Sequence, residues 1–294
     1  MSTNSLKTVL LLGTLSGLVV VAGNLVGGRG GIMIGLLLAV GMNVFSYFFS
    51  EKMALSSSGA LRTSPTEHPQ IYARIAPMTE RLCQSMGLPM PKLWVLNEAS
   101  PNAFATGRNP ANSSVAVSAG LLEIMDDREV EAVIAHELGH IKHRDILISS
   151  VAATLGAAIT SIAQMAFYFG GGRHSDDEEG GGGVGIVGAL AMMLLAPMAA
   201  GVIQMAVSRT REFSADAAAA KHTGSPEGLI SALSKLERAS QRIPMEASPA
   251  MSHMYIIPTL NRQWFAKLFS THPPTQERIA KLQSYRGAVA SIAE

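Results

Sequence analysis

The chain has 294 residues, of which 48% are hydrophobic and only 15% charged, and its mean hydropathy is +0.25. Soluble domains carry about a quarter charged residues, so this composition excludes a simple cytosolic enzyme. The formal net charge of +1 gives no electrostatic basis for nucleic-acid binding. A single cysteine, Cys83, excludes an internal disulfide framework and a metal site built from several thiolates.

Most of the apolar composition lies in runs without any charged residue, at residues 8–28, 30–50, 146–172 and 180–208. Each run is long enough for a helix that crosses a bilayer, which takes roughly 20 apolar residues. Only Arg29, flanked by glycines, separates the first two runs, so they predict a tight helical hairpin. A cleaved signal peptide is the alternative for the first run, and a buried core is the alternative for the later pair.

Lysines and arginines near the ends of these runs predict the orientation, because positive residues concentrate on the cytoplasmic side. Only Arg29 and Arg173 fall on one side of the membrane. The opposite side holds Lys7, Lys52, Arg62, Lys142, Arg144, Arg209 and Arg211. The sequence therefore predicts four transmembrane helices with both termini in the cytoplasm.

This topology divides the chain into four parts. Residues 8–50 form an N-terminal transmembrane hairpin, and residues 146–208 form a second hairpin with an outer, acidic, glycine-rich loop. Residues 51–145 and 209–294 are polar and lie on the same cytoplasmic side, so we expect them to build one domain together.

The first polar part predicts a helix followed by a small sheet. Apolar spacing over residues 67–86 favours a helix that ends at Gly87. Short strands are predicted at residues 92–96, 102–106 and 114–118. The last two strands are separated by the turn-forming residues Gly107, Asn109 and Pro110.

Further helices are predicted on either side of the second hairpin. Asp126 or Asp127 can cap a helix that continues through His140 toward the third uncharged run. Residues 211–222 are alanine-rich and helical, and residues 275–284 predict an amphipathic helix that closes the domain. The predicted fold class is a mainly α integral membrane protein whose polar domain carries a small sheet.

The segment His136-Glu137-Leu-Gly-His140 carries the most specific chemistry in the chain. On a helix the two histidines lie one turn apart on the same face, so both imidazoles can reach one metal ion. Zinc suits imidazole and carboxylate ligands, and a catalytic zinc site leaves its fourth position to water. Glu137 follows the first histidine, from where its carboxylate could contact that water.

A third protein ligand must come from elsewhere, and the residues alone leave its identity open. Glu212 and Asp216 share a helix face, so one could bind the metal while the other orients a ligand histidine. A third ligand on the same helix as the first two would strain a tetrahedral site. The rival third ligands are His143, His222, His253 and His272.

Several segments, taken together, resemble the HtpX family of membrane-bound zinc metalloproteases, which is related to the CAAX prenyl proteases. They are the early hydrophobic hairpin, the segment Pro101-Asn-Ala-Phe-Ala-Thr-Gly107, the His136–His140 motif, Arg211-Glu-Phe-Ser-Ala-Asp216 and Thr271-His-Pro-Pro274. The resemblance covers nearly the whole chain. It implies a zincin-like α+β metalloprotease domain on four transmembrane helices.

The resemblance also implies a role for each matching residue. One zinc ion per chain is expected on His136, His140 and Glu212, with Glu137 as the catalytic acid and base. Asp216 matches an aspartate that orients a ligand histidine. The remaining matches are Asn102, Ala103 and Phe104, which line the substrate cleft near an edge strand, and His272, which could stabilise the oxyanion.

The expected function is that of a zinc-dependent endopeptidase in the bacterial inner membrane, with its catalytic domain in the cytoplasm. Because few residues separate the metal helix from the third uncharged run, the site should lie near the bilayer surface. We expect misfolded membrane proteins and unfolded polypeptides as substrates, and membrane proteases or chaperones as partners. A catalytically silent zinc-binding scaffold or chaperone is the first alternative, and a transporter is the second. The absence of charge within the four runs disfavours a transporter.

Overall fold

A computed structural model describes residues 3–149, 209–240 and 273–292. The predicted second transmembrane hairpin, apart from residues 146–149, lies outside the described residues, as do the acidic loop and His272. The four-span topology and the division into domains therefore stay predictions.

Helix α1 (Thr3–Ser57) consists of two arms that meet at Gly28. Gly28 has φ 54° and ψ −135°, a conformation that glycine adopts without the penalty of a Cβ atom. The arms run back along each other, because Gly35 lies against the backbone of Val19, and the Asn43 amide donates a hydrogen bond of 2.9 Å to Ser16 Oγ. The turn lies within the glycine-rich link that the sequence predicts between the first two runs.

The second arm of α1 is the one helix among the described residues that is long and apolar enough to cross a membrane. It extends over Gly28–Ser57, with a mean hydropathy of 2.0 in its most apolar window. Most of its large apolar side chains between Ile32 and Phe49 are exposed, as expected for a surface that faces lipid. The arm continues past the uncharged run to Ser57, where the polar domain begins.

The polar domain opens with β1 (Ala60–Arg62), helix α2 (Pro69–Met86) and β2 (Lys92–Leu96). Helix α2 ends at Gly87, whose φ of 68° is left-handed, as the sequence predicts. The sequence does not predict β1, because three residues are too few to show the alternation of apolar and polar side chains that is typical of a strand.

Strands β3 (Ala103–Asn109) and β4 (Asn112–Ser118) complete a four-stranded mixed sheet in the order β1-β2-β4-β3. Strand β2 pairs in parallel with β4, and the other two pairs are antiparallel. The predicted turn between these strands is shorter than expected: Pro110 lies in it, but Gly107 and Asn109 belong to β3. Gly107, at φ 135°, lets β3 approach β4 so closely that a Cβ atom would meet the Asn112 carbonyl.

Within the described residues the next helices are α3 (Ala119–Ile124), α4 (Asp127–Lys142), α5 (Arg209–Thr223), α6 (Glu227–Ser240) and α7 (Thr275–Gln283). A short 3-10 turn (Val289–Ser291) lies near the end of the chain. The predicted N-cap of α4 is confirmed: Asp126 accepts from the Glu129 amide, and Glu129 accepts from the Asp126 amide. Helices α3 and α6 were not predicted.

Helix α4 lies at the centre of the polar domain, with α2, α5, α6 and β3 packed around it. Its residues are buried on nearly every face, and its apolar side chains belong to the largest hydrophobic core cluster. A helix buried all round holds its side chains in fixed positions, so groups that project from α4 are well placed to form a rigid site.

Candidate metal centre

Helix α4 presents His136 and His140 on one face, one turn apart. Their Nε2 atoms lie 3.3 Å from each other, and His136 is only 2% exposed. Two zinc–nitrogen bonds of about 2.05 Å at a tetrahedral angle place the nitrogens about 3.3 Å apart. The separation of the two imidazoles therefore suits one shared metal ion.

Helix α5 contributes Glu212 from the other side of the cluster. One carboxylate oxygen lies 3.7 Å from His136 Nε2, and the other lies 3.6 Å from His140 Nε2. These three residues form the one group among the described ranges that could hold a metal, with ligand atoms within 4.8 Å of one another. Two imidazoles and one carboxylate are a donor set that fits zinc, with a position left for a further ligand.

Gly139 allows α4 and α5 to approach closely enough for this group to form. A Cβ atom at Gly139 would lie 3.0 Å from the Ala215 Cα atom on α5. Ala215 is itself fully buried, and it lies one turn from Glu212. The glycine of the motif thus sets the spacing between the helix that carries two ligands and the helix that carries the third.

Each of the two histidines has a carboxylate at its second ring nitrogen. His136 Nδ1 lies 3.0 Å from Asp216, which is fully buried, and His140 Nδ1 lies 3.1 Å from Asp145. A hydrogen bond from Nδ1–H to a carboxylate leaves Nε2 as the free acceptor, turned toward the metal position. The sequence pointed to Asp216 as such a partner but missed Asp145, which directly precedes the third uncharged run.

Glu212 and Asp145 control the protonation of His140 in the metal-free protein. Burial lowers the pKa of His140, but the negative charges of Glu212 and Asp145 outweigh burial and raise it to about 9. The imidazole therefore carries a proton at neutral pH until a metal ion replaces it.

Arg278, on helix α7, is a residue of the centre that sequence reasoning missed. Its guanidinium donates to both oxygens of Asp216, at 2.7 and 2.9 Å, and it is 1% exposed. It also lies 3.8 Å from Glu212. Its position on the helix is the feature that could have identified it. Arg278 shares the buried face of α7 with Leu282, and a charged residue on a buried face needs a partner.

Burial raises the pKa of Asp216, but the Arg278 guanidinium outweighs this and lowers it, so Asp216 remains a carboxylate. Arg278 is likewise held in its charged form, since its pKa is raised against the effect of burial by Asp216. The pair is thus a permanent buried ion pair behind His136.

Glu137 is 4% exposed and follows the first ligand histidine on α4. Its charge contributes to raising the pKa of both His140 and Arg278, which places its carboxylate beside the cluster. Asn102, Ala103 and Phe104 are buried at the start of β3, an edge strand of the sheet, and β3 packs against α4.

The two rival third ligands that the structure describes, His143 and His222, do not join the group. His143 forms the C-cap of α4, outside the cluster. His222 contacts Ser85 through Nδ1 and Lys142 through Nε2. His253 and His272 lie outside the described residues, so the predicted role of His272 stays a prediction.

The site has two imidazoles one turn apart, a glutamate between them and a carboxylate from a second helix. This arrangement defines a metalloprotease of the His-Glu-x-x-His type. The model of peptidase family M48 matches residues 69–286. The chain belongs to this family. It is a membrane metalloendopeptidase, and the sequence-based identification is confirmed.

Curated relatives match almost the whole chain. A protease HtpX homolog of Desulfatibacillum aliphaticivorans is 46% identical over 283 residues, or 96% of this chain and 90% of the relative. A protease HtpX homolog of Ralstonia nicotianae is 47% identical over 282 residues, or 95% of this chain and 96% of the relative.

Among solved structures, the chain is similar in fold to S. mikatae Ste24p. The TM-score is 0.50 at 19% sequence identity, over 95% of this chain. This chain spans 64% of the length of that protein chain.

Proposed function

We propose that this chain is a zinc-dependent endopeptidase that hydrolyses misfolded or damaged membrane proteins at the cytoplasmic face of the bacterial inner membrane. The single observation that carries the proposal is the ligand group itself. His136 and His140 lie 3.3 Å apart at Nε2, and Glu212 reaches both from a second helix. Each imidazole is backed by a carboxylate, as in metal sites whose ligands are fixed in advance.

His136, His140 and Glu212 would hold the zinc ion. When bound there, zinc supplies a Lewis acid that activates water and polarises the peptide carbonyl. Glu137 takes a proton from the attacking water and gives it to the leaving amine, a role that its position next to His136 supports. Asp216 holds the His136 ring in the tautomer that leaves Nε2 free.

Strand β3 supports the binding of an extended peptide. It is an edge strand of the described sheet, and an edge strand can hold a peptide through main-chain hydrogen bonds. The side chain of Asn102 is buried, and neither its amide nitrogen nor its oxygen has a partner among the described residues. We assign Asn102, Ala103 and Phe104 to the substrate cleft.

The membrane arrangement supports the substrate class. Helix α4 ends at Lys142, and a further helical segment begins at residue 145, directly before the third uncharged run. The metal centre then lies close to the bilayer surface if residues 146–208 form a hairpin through it. With both termini cytoplasmic, exposed loops of damaged membrane proteins are within its reach.

The experiment compares two forms of one substrate with protein reconstituted in vesicles. An unfolded loop is presented either on a transmembrane anchor in the same vesicles or free in solution, after the enzyme has been purified with a chelator. We expect no cleavage until zinc is added, and then faster cleavage of the anchored loop. Equal cleavage of both forms would contradict the substrate class. Full cleavage in the presence of the chelator would contradict metal-dependent hydrolysis.

A further inference from the structure

A cavity lies where the second arm of α1 meets the sheet, away from the metal centre. Its volume is about 500 Å³. Phe48, Leu55 and Trp94 supply apolar walls, and Lys52 and Lys92 also line it. None of these residues contributes to the metal centre described above.

The position of the cavity along α1 matches the edge of a membrane. The uncharged run from residue 30 to residue 50 is about 31 Å long as a helix, which equals the thickness of a bilayer hydrocarbon core. Exposed apolar side chains continue as far as Phe49, and charge begins at Glu51 and Lys52. The cavity therefore lies at the level of the lipid headgroups, with Phe48 reaching into the acyl-chain region.

The charges around the cavity favour an anion. Glu51 is neutralised, because its carboxylate accepts from Lys92 at 3.0 Å and from the Ser114 hydroxyl at 2.8 Å. Lys52 is exposed and has no carboxylate partner among the described residues. Arg108 does not line the cavity, but its guanidinium lies 5.3 Å from the centre of the Phe48 ring and adds positive charge nearby.

Trp94 lines the cavity and is held in a fixed position. Its indole nitrogen donates to Ser114 Oγ at 3.0 Å, and Ser114 in turn donates to Glu51. A tryptophan whose ring faces an apolar cavity and whose N–H is satisfied on the polar side is typical of the membrane interface.

We propose that this cavity binds one anionic glycerophospholipid of the cytoplasmic leaflet. The phosphate would lie at Lys52 and Lys92, and an acyl chain would run along Phe48 and the exposed apolar side of α1. Lys52 and Lys92 against the single Glu51 carboxylate leave a net positive charge at the cavity, which favours an anionic headgroup over a zwitterionic one. The site would fix the polar domain to the membrane surface at the end of the span.

Fluorescence quenching of Trp94 tests the proposal. The chain has two tryptophans, so a Trp264→Phe variant leaves Trp94 as the sole emitter. The full chain is reconstituted in phosphatidylcholine bilayers that contain a minor fraction of either phosphatidylglycerol or phosphatidylcholine with brominated acyl chains. We expect stronger quenching by the brominated phosphatidylglycerol.

Lys52→Gln should weaken binding of the anionic lipid roughly fivefold and remove most of the difference between the two lipids. Lys281→Gln, which removes the same charge outside the cavity, should preserve the difference. Equal quenching by both lipids, or a difference that survives in Lys52→Gln, would overturn the proposal. The proposal would also be overturned if Trp94 emission were unaffected by lipid but changed on addition of inorganic phosphate or of an unfolded polypeptide. The readout needs no proteolysis, so it fails or succeeds independently of the proposed enzymatic function.

Discussion

Arg278 donates two hydrogen bonds to Asp216, one to each carboxylate oxygen, and both side chains are buried. Asp216 also contacts Nδ1 of His136, so the C-terminal helix α7 is linked through Asp216 to a proposed metal ligand on α4. The two partners lie 62 residues apart in the chain. This bidentate pair joins the last helix of the domain to the metal centre.

Replacing Arg278 with alanine leaves the charge of Asp216 buried without its partner. We expect a loss of about 3–5 kcal/mol in the free energy of unfolding, the usual cost of breaking a buried pair, together with weaker metal binding. Thermal unfolding and metal titration of the detergent-purified protein measure both effects.

Arg286 offers a matched control, because it forms an exposed bidentate pair with Glu227. Arg286→Ala should leave both properties nearly unchanged. If the two variants behave alike, the link between Arg278 and the metal centre is wrong. Arg278→Lys keeps the positive charge but cannot donate two parallel hydrogen bonds to the carboxylate. Its stability and metal affinity should therefore lie between those of the wild type and Arg278→Ala.

Gly139→Ala tests the spacing of α4 and α5. The added methyl group would lie 3.0 Å from the Ala215 backbone, so the helices must separate and Glu212 must move away from the histidines. We expect a destabilisation of about 1–3 kcal/mol and a weaker affinity for zinc. Gly41→Ala is the control, since nothing lies within 4 Å of its added Cβ. An unchanged zinc affinity in Gly139→Ala would show that the close approach is dispensable.

The raised pKa of His140 predicts a pH-dependent metal affinity. A proton on the imidazole competes with the metal, so affinity should rise about tenfold per pH unit until the pH reaches about 9. The stabilisation that this protonated histidine gives the metal-free fold is complete below its ordinary pKa of 6.5 and is lost as the pH rises through about 9.

Zinc titrations between about pH 7 and pH 8.5 measure this dependence. Asp145→Asn removes one of the charges that raise the pKa, so its affinity should level off at a lower pH. If the zinc affinity of the wild type does not change across this range, then His140 is not a metal ligand that is protonated in the metal-free protein.

The parts of the fold that the sequence predicts well depend on local spacing. The two histidines of α4 lie four residues apart, and the Asp126 cap lies three residues from its partner Glu129. The end of α2 at Gly87 likewise follows from one residue. In each case neighbours in the chain are also neighbours in space.

What the sequence did not predict depends on contacts between distant segments. The sequence predicts the amphipathic helix that contains Arg278 but not the partner of Arg278, because that partner lies on another helix. The extent of β3 has a similar origin. Gly107 and Asn109 are residue types typical of turns, but they belong to β3 because they pair with residues of β4. The sequence does not predict the contact between Asp145 and His140, because this contact depends on how the chain turns back toward His140 after α4.

The most direct test of the account is to measure metal content and proteolysis together in Glu137→Ala. The three ligands are intact in this variant, so we predict a zinc content equal to that of the wild type, with almost no cleavage of an unfolded substrate. His136→Ala and Glu212→Ala should lose both. A Glu137→Ala protein that cleaves at near the wild-type rate would remove Glu137 from the mechanism, and normal zinc content in the ligand variants would contradict the proposed metal centre.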